Sequence, residues 1–443
     1  MGAPLSMGPA MMVVALLCVT SFPMLTCCSG DGSVHIEAQK DWPSFRGDIW
    51  NTGSRANSYE MGHLGVLWEF RADSAITSTI STGSGLAAFG TMNGSVYACD
   101  VDDGTLRWKV NVGAEVDATP LFLPDGGGIV VCDLSGKVRR LSLEGTTDWT
   151  YDTGSGMAIH SSPQYYEGSI LFGSYDSSFY CLNAGNGTLR WRYTGCASWI
   201  HTSPSVSARY YDAQYTYFGS CDGSMNCVDV KDGSLIWTFK AEYIPSSPAL
   251  DMDSVFFGSY DRKLYCLDAM TGDMRWNRSF AGPIFSSPAV LDDRVVVGCD
   301  DGTLNMMDAQ NGSLIWSVKV NDGKLDPSPV LTANWVICTF QNGLVVLSAG
   351  NGSMERSFEL GDAGGASPSL HDGTVLFGDA QGYARALGAE GPVDEDDDTV
   401  DFGREDDPAR DAIFLAIGFV AIFAVSALYF WRRYKALRKG KGG

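Results

Sequence analysis

Through residues 66–387, short runs of apolar residues alternate with polar ones, and Gly, Asp, Asn, Ser or Thr break every run. Residues 246–276 show the fullest form: Ser-Ser-Pro-Ala-Leu, then Ser-Val-Phe-Phe-Gly-Ser-Tyr, then Leu-Tyr-Cys-Leu-Asp-Ala, then Met-Arg-Trp, with turn residues between. β-Branched and aromatic runs of this length suit strands, and Asp-Gly, Asn-Gly or Thr-Gly pairs supply the positive φ of the tight turns that join them. The pattern predicts four short strands per unit.

Trp marks the register of the units. Trp68, Trp108, Trp149, Trp191, Trp237, Trp276 and Trp316 follow one another at intervals of 40, 41, 42, 46, 39 and 40 residues, and Phe358 takes the place expected for an eighth. A period near 40 with four strands per unit is the signature of propeller blades. Every unit after the first opens on a Ser-Pro or Thr-Pro pair, from Thr119-Pro120 through Ser247-Pro248 to Ser367-Pro368, where Pro removes an amide that a strand's start can spare. Seven units are complete, whereas residues 366–387 hold only three strands. Residues 66–70 offer the missing one, and pairing the two ends abolishes the open edge. The predicted fold is all-β: an eight-bladed β-propeller of four-stranded blades, its ring closed by the N-terminal strand.

The combination of Ser-Ser-Pro, Phe-Gly-Ser-Tyr-Asp, Leu-Tyr-Cys-Leu-Asp-Ala, Thr-Gly and Trp resembles the PQQ-like β-propeller family. Trp42-Pro43-Ser44-Phe45-Arg46-Gly47-Asp48, with Thr52-Gly53, is similar to the segment that opens many such propellers. The resemblance covers residues 41–391 and implies the fold. It does not choose among functions, because the family includes quinoprotein dehydrogenases and the non-catalytic propeller lipoprotein of the bacterial outer-membrane assembly machinery.

Charge and hydropathy add the ends of the chain. Residues 1–28 hold an apolar run with the length of a signal peptide, but lack a basic start, so a retained signal anchor stays open and Cys27 leaves lipidation open. Residues 29–64 form a lead-in and 65–391 the propeller; 392–411 form an acidic linker. Residues 412–431 carry no charged side chain and match a transmembrane helix, followed by a basic tail over 432–443. The positive-inside rule places that tail in the cytoplasm and the propeller outside it, at a single-pass cell-membrane anchor. A net charge of −21 argues against a nucleic-acid partner. A protein or cell-envelope component, and the lipid bilayer through the C-terminal helix, are the partners expected.

Candidate chemistry is sparse. No HExxH, CxxC, GxSxG or P-loop pattern occurs, and the chain has five histidines. Cys99, Cys181, Cys227 and Cys266 recur at one place in the repeat, which suits a small apolar residue on a strand as well as it suits disulfides. In a propeller the residues before each Ser-Pro rim the central channel: Asp117, His160, His201, Pro245, Phe285, Asp326 and Gly365. The loops between second and third strands add Tyr175, Asp176, Asp222, Tyr260, Asp261, Asp300 and Asp301, with Trp199 and Glu115 nearby. Asp117, His160, His201, Asp326 and Trp199 are the candidate ligand site at the channel mouth. Those carboxylates also suit turn capping. The resemblance to dehydrogenases implies calcium and PQQ held by a Glu, Asn and Asp set, with adjacent cysteines. The adjacent pair here, Cys27-Cys28, lies in the leader, so no cofactor is expected and a PQQ- and calcium-dependent dehydrogenase is the alternative. A solute-sensing ectodomain working with a partner membrane protein is a third reading.

Overall fold

A computed structural model describes residues 40–59, 64–210, 213–251, 253–341, 343–359 and 366–389. The predicted leader, acidic linker, transmembrane helix and basic tail, and Gly365, lie outside these. Among the described residues no helix is long and apolar enough to cross a membrane.

Eight antiparallel sheets form the propeller. Blades 1 to 7 span residues 81–111, 121–152, 164–193, 205–240, 249–279, 289–319 and 330–359. Blade 8 takes three strands from residues 369–389 and its outermost from Leu64–Arg71, which runs antiparallel to Tyr383–Ala389. The ring therefore closes as the repeat count predicts. Each blade's first strand is innermost and runs away from the channel mouth. The 2–3 loops and the blade-to-blade crossings lie at the mouth, the 3–4 turns at the opposite end.

The Trp-and-Gly repeat is a lock between neighbouring blades. The seven indole nitrogens, from Trp68 to Trp316, each donate to a carbonyl in the following blade's 3–4 turn, at Val101, Leu143, Ala184, Val230, Ala269, Ala309 and Ala349, over 2.6–3.1 Å. The ring lies on that turn's glycine, so a Cβ at Gly104, Gly145, Gly187, Gly233, Gly272, Gly312 or Gly352 would come within 2.5–2.9 Å of it. Each glycine also has φ between +69° and +83°, so conformation and close approach both require it.

The eighth lock is absent, and the expected position of its aromatic needs correcting. Arg356 pairs with Val346 as Trp316 pairs with Met306, so Arg356 occupies the Trp place. Phe358, two residues on, is the counterpart of Val318. Closure explains the loss: blade 8 receives its outer strand from the other end of the chain, so it has no 3–4 turn for an indole to rest on. An apolar cluster of Leu64, Ile337, Val346, Val375 and Leu387, with Tyr59, Trp335 and Phe358 against it, fills that seam instead. The Trp335 indole N–H donates to the Tyr59 carbonyl over 2.7 Å.

The Ser-Pro repeat is likewise an inter-blade device. The amide of Thr119 donates to Ser162 Oγ, that of Ser162 to Ser203 Oγ, and the series continues through Ser247, Ser287 and Ser328 to Ser367, all at 2.8–3.1 Å. A buried amide left without an acceptor costs about 1–3 kcal/mol, so Ser selects itself wherever the neighbouring blade must be capped. All nine cysteines among the described residues are free. Cys181, Cys227 and Cys266 are the direct cross-strand neighbours of Trp191, Trp237 and Trp276, which accounts for their recurrence.

Candidate binding site at the channel mouth

The channel is closed at the end away from the mouth. Residues 40–55 lie across it as a strap whose backbone visits every blade in ring order. The carbonyls of Lys40, Trp42, Pro43, Asp48, Ile49, Trp50, Thr52 and Gly53 accept from Asp372, Thr82, Phe122, Gln164, Val206, Leu250, Val290 and Leu331. Those donors belong to blades 8, 1, 2, 3, 4, 5, 6 and 7. Ser54–Arg55 then pairs in parallel with Val330–Thr332 as a fifth strand on blade 7.

The strap buries charge to hold this course. Arg46 and Gly47, at φ 62° and 83°, turn the chain over the axis. The Arg46 side chain, 2% exposed, reaches across to the Pro288 carbonyl of blade 6 at 3.0 Å. Burial pushes its guanidinium down to about 9, against the pull of Asp48. Asp48 accepts from the amides of Trp50 and Thr52 and from the Thr52 hydroxyl, while burial raises its carboxyl. Asn51 Nδ2 spans the carbonyls of Ser203, Pro204 and Pro248 in blades 4 and 5. With its floor sealed, the channel is a blind funnel open at the mouth.

Four of the five candidate residues meet on blades 2 to 4. His160 Nδ1 lies 2.6 Å from Asp117 Oδ2, and the His160 and His201 rings are 5.3 Å apart. Tyr175 bridges them, 4.5 Å from the His160 ring and 6.0 Å from His201, and stacks on Trp199 at 4.7 Å and 6°. Trp199 is 49% exposed. Burial, then the neighbouring His160, holds the His201 imidazole below its usual pKa, so it is neutral at neutral pH. Glu115 is raised by burial and by Asp117.

The fifth residue, Asp326, belongs to a second group on blades 6 and 7. Burial first, then the neighbouring Asp300 carboxyl, pushes Asp326 up to about 6. Lys324 Nζ stands 3.5 Å from Asp300 Oδ2 and 5.3 Å from the Phe285 ring centroid. Between the groups, Tyr243, Tyr260 and Phe285 form a mutual trio at 6.0–6.1 Å, with Tyr260 edge-on to both partners and Tyr243 tilted against Phe285. Sequence reasoning missed Tyr243 and Lys324; the signal was available, since both stand two residues before the rim position, as Trp199 does. A cleft of about 600 Å³ opens beside this trio, lined by Glu242, Tyr260, Asp261, Arg262, Lys263 and Pro283.

The remaining loop carboxylates cap their own turns. Asp176, Asp222, Asp261 and Asp301 each accept the amide two residues on, at 2.8–3.2 Å. Asp176 and Asp261 also accept from the hydroxyls of Tyr180 and Tyr265. Cys221 lies beside Tyr243 with its thiol pushed up by burial, so it is not an activated nucleophile for the Asp117–His160 pair.

The carboxylates at the mouth are a poor match for the anionic quinone cofactor that the resemblance implies. Among the described residues no three His, Cys, Asp or Glu side chains group as a metal site. Glu115, Asp117, Asp300 and Asp326 would face the carboxylates of PQQ, with Lys324 already paired to Asp300 and Arg262 and Lys263 set aside in the cleft by Tyr260.

No curated protein matches the chain. Among solved structures, a quinohemoprotein alcohol dehydrogenase from Comamonas testosteroni is similar at TM-score 0.70 and 14% identity, over 80% of this chain and 81% of that one. The alcohol dehydrogenase ADHIIG from Pseudomonas putida HK5 gives 0.67 and 13%, over 79% and 80%. BamB from Moraxella catarrhalis gives 0.51 and 20%, over 74% and 89%. At these identities the likeness is one of fold. A family model described as outer membrane protein assembly factor BamB matches residues 63–203 and 221–389. The chain, a PQQ-like β-propeller by its blades, its repeat and that match, belongs to this family.

Proposed function

We propose that this chain is a non-catalytic binding module: a membrane-anchored, extracytoplasmic propeller that offers its channel mouth to a protein of the cell envelope. The carrying observation is the exposed Trp199, stacked on the half-buried Tyr175, at the rim of a funnel sealed from below. An indole held open to solvent on a ring support, with carboxylates and imidazoles around it, is a recognition surface. Among the described residues, no nucleophile hydrogen-bonds the Asp117–His160 pair. Membership of a family described as an assembly factor supports a protein partner, and the apolar stretch at 412–431 supports the anchor. Capture of envelope proteins by the detergent-solubilised full chain, compared with Trp199→Ala, tests the reading. Partners retained by the parent and lost from the variant are expected; equal capture by both would remove it.

The dehydrogenases among the structural neighbours favour a second reading, an oxidoreductase using PQQ and calcium. Dye-linked oxidation of alcohols or sugars after adding PQQ and Ca²⁺ would establish it. The acidic mouth leads us to expect no activity.

A further inference from the structure

We infer that the mouth takes a cationic side chain, the guanidinium or ammonium of an Arg or Lys on a partner protein's extended segment, seated on the aromatic arc between two acidic poles. The inference rests on the proposed role of the mouth and adds the chemistry of what enters it.

Three observations carry it. The first is composition by blade. Glu115 and Asp117 stand on the approach to blade 2, Asp300 and Asp326 on blades 6 and 7, and the rings of Tyr175, Trp199, Tyr243, Tyr260 and Phe285 lie on the blades between. In an eightfold ring blades 2 and 6 are opposite, so the carboxylates face one another across the funnel. Ring faces and carboxylates share a preference for cations.

The second observation is a cation already held this way. Lys324 sits over Phe285 and beside Asp300, whose side chain is 9% exposed and whose Oδ1 is buried without a hydrogen-bond partner. The blade 6–7 pole thus shows on its own lysine what the arc accepts. Trp199 and Tyr260, 49% and 51% exposed, present the same kind of ring with no cation from the chain among their described contacts.

The third is the strap. A funnel sealed by residues 40–55 admits a group end-on and cannot be threaded, which suits a side chain on a strand or loop. The adjoining cleft beside Tyr260 gives the rest of that segment a path between blades 5 and 6. A neutral saccharide would stack on the rings and donate its hydroxyls to the carboxylates, but it carries no charge to match the two acidic poles, which favour a cation.

The test is calorimetric titration of the full chain in detergent with a tetra-arginine peptide, a tetra-glutamate peptide and a chito-oligosaccharide. Tetra-arginine should bind, and two variants, Trp199→Ala and the double change Asp300→Asn with Asp326→Asn, should each weaken it about tenfold. The double change Asp102→Asn with Asp292→Asn removes the same charge far from the mouth and should leave it unchanged. Equal weakening by mouth and control variants would reduce the binding to net charge and overturn the inference, as would saccharide binding that ignores the carboxylates. The proposed function fails separately: mouth variants would then capture envelope partners as the parent does. Loss of partner capture without mouth-dependent binding of tetra-arginine would sink only the cationic assignment.

Discussion

A single methyl group is enough to test the inter-blade lock. Gly272 has φ +74° and a Cβ there would lie 2.7 Å from the Trp237 ring, so Gly272→Ala meets both a conformational and a steric penalty. We expect a loss of about 2 kcal/mol or more, seen as a lower urea midpoint at unchanged slope. Asp326 makes a pH prediction at the same scale. Its folded carboxyl keeps the proton to about pH 6, whereas an unfolded Asp releases it near about pH 4. The folded state therefore binds more protons in that window, and this contribution to stability is present below about pH 4 and lost as the pH rises through about 6. Because the group keeps solvent access, the contribution is about 1 kcal/mol at most. Thermal midpoints of Asp326→Asn between pH 4.5 and about 7.5 should show a shallower decline than the parent; parallel curves would sink the assignment.

At the scale of elements, strands, turns and blades were legible because their causes are local. A β-branched run, an Asp-Gly turn and a Trp every 40 residues or so each report on a few neighbouring positions. Phe358 was misplaced because positions two apart share a strand face, so the alternation alone cannot separate it from Arg356. The strap gave no such signal. Its order comes from partners distributed over eight blades, and what marks it in sequence is a Trp, two Arg and an Asn of the kind that end up buried. Asn51 tests it: at φ 54° its amide joins blades 4 and 5. Asn51→Gly should cost about 1–3 kcal/mol for the hydrogen bonds alone, and Asn51→Ala more, since Ala also resists that φ. Equal urea midpoints for the two variants would show that the conformation contributes nothing. The mouth was partly legible: Asp117, His160, His201 and Trp199 do meet, but Asp326 belongs to a second group, since ring position is set by blade count and not by residue type.

For the whole molecule, stability comes from apolar clusters packed within and between the blades, joined by seven indole locks and a series of serine caps, with no covalent staple among the described residues. A reducing agent should accordingly leave the thermal midpoint of the purified chain where it was, as nine cysteines are free and eight of them buried. A drop of several degrees on adding dithiothreitol would point to a disulfide that the described residues do not contain. Ring closure also predicts cooperative unfolding, a single transition by fluorescence and circular dichroism, since every blade packs on two neighbours and only the short outer strands present an edge.

The strap has a further consequence, in the order of events during synthesis. Residues 40–55 leave the ribosome before any blade exists, yet their carbonyls find acceptable donors only when Phe122, Val206, Leu250, Val290, Leu331 and Asp372 have all been assembled into a ring. Leu64–Arg71 waits longer still, for Tyr383–Ala389. The first-made part of the propeller is thus the last to be satisfied, and the nascent chain carries an unpaired strand and a set of buried-type charges through the whole of its translation. Loop closure across more than 300 residues sets a high contact order. A chain released before blade 8 would therefore lose its closing strand's partner, and nothing short of the complete propeller protects either end from another chain.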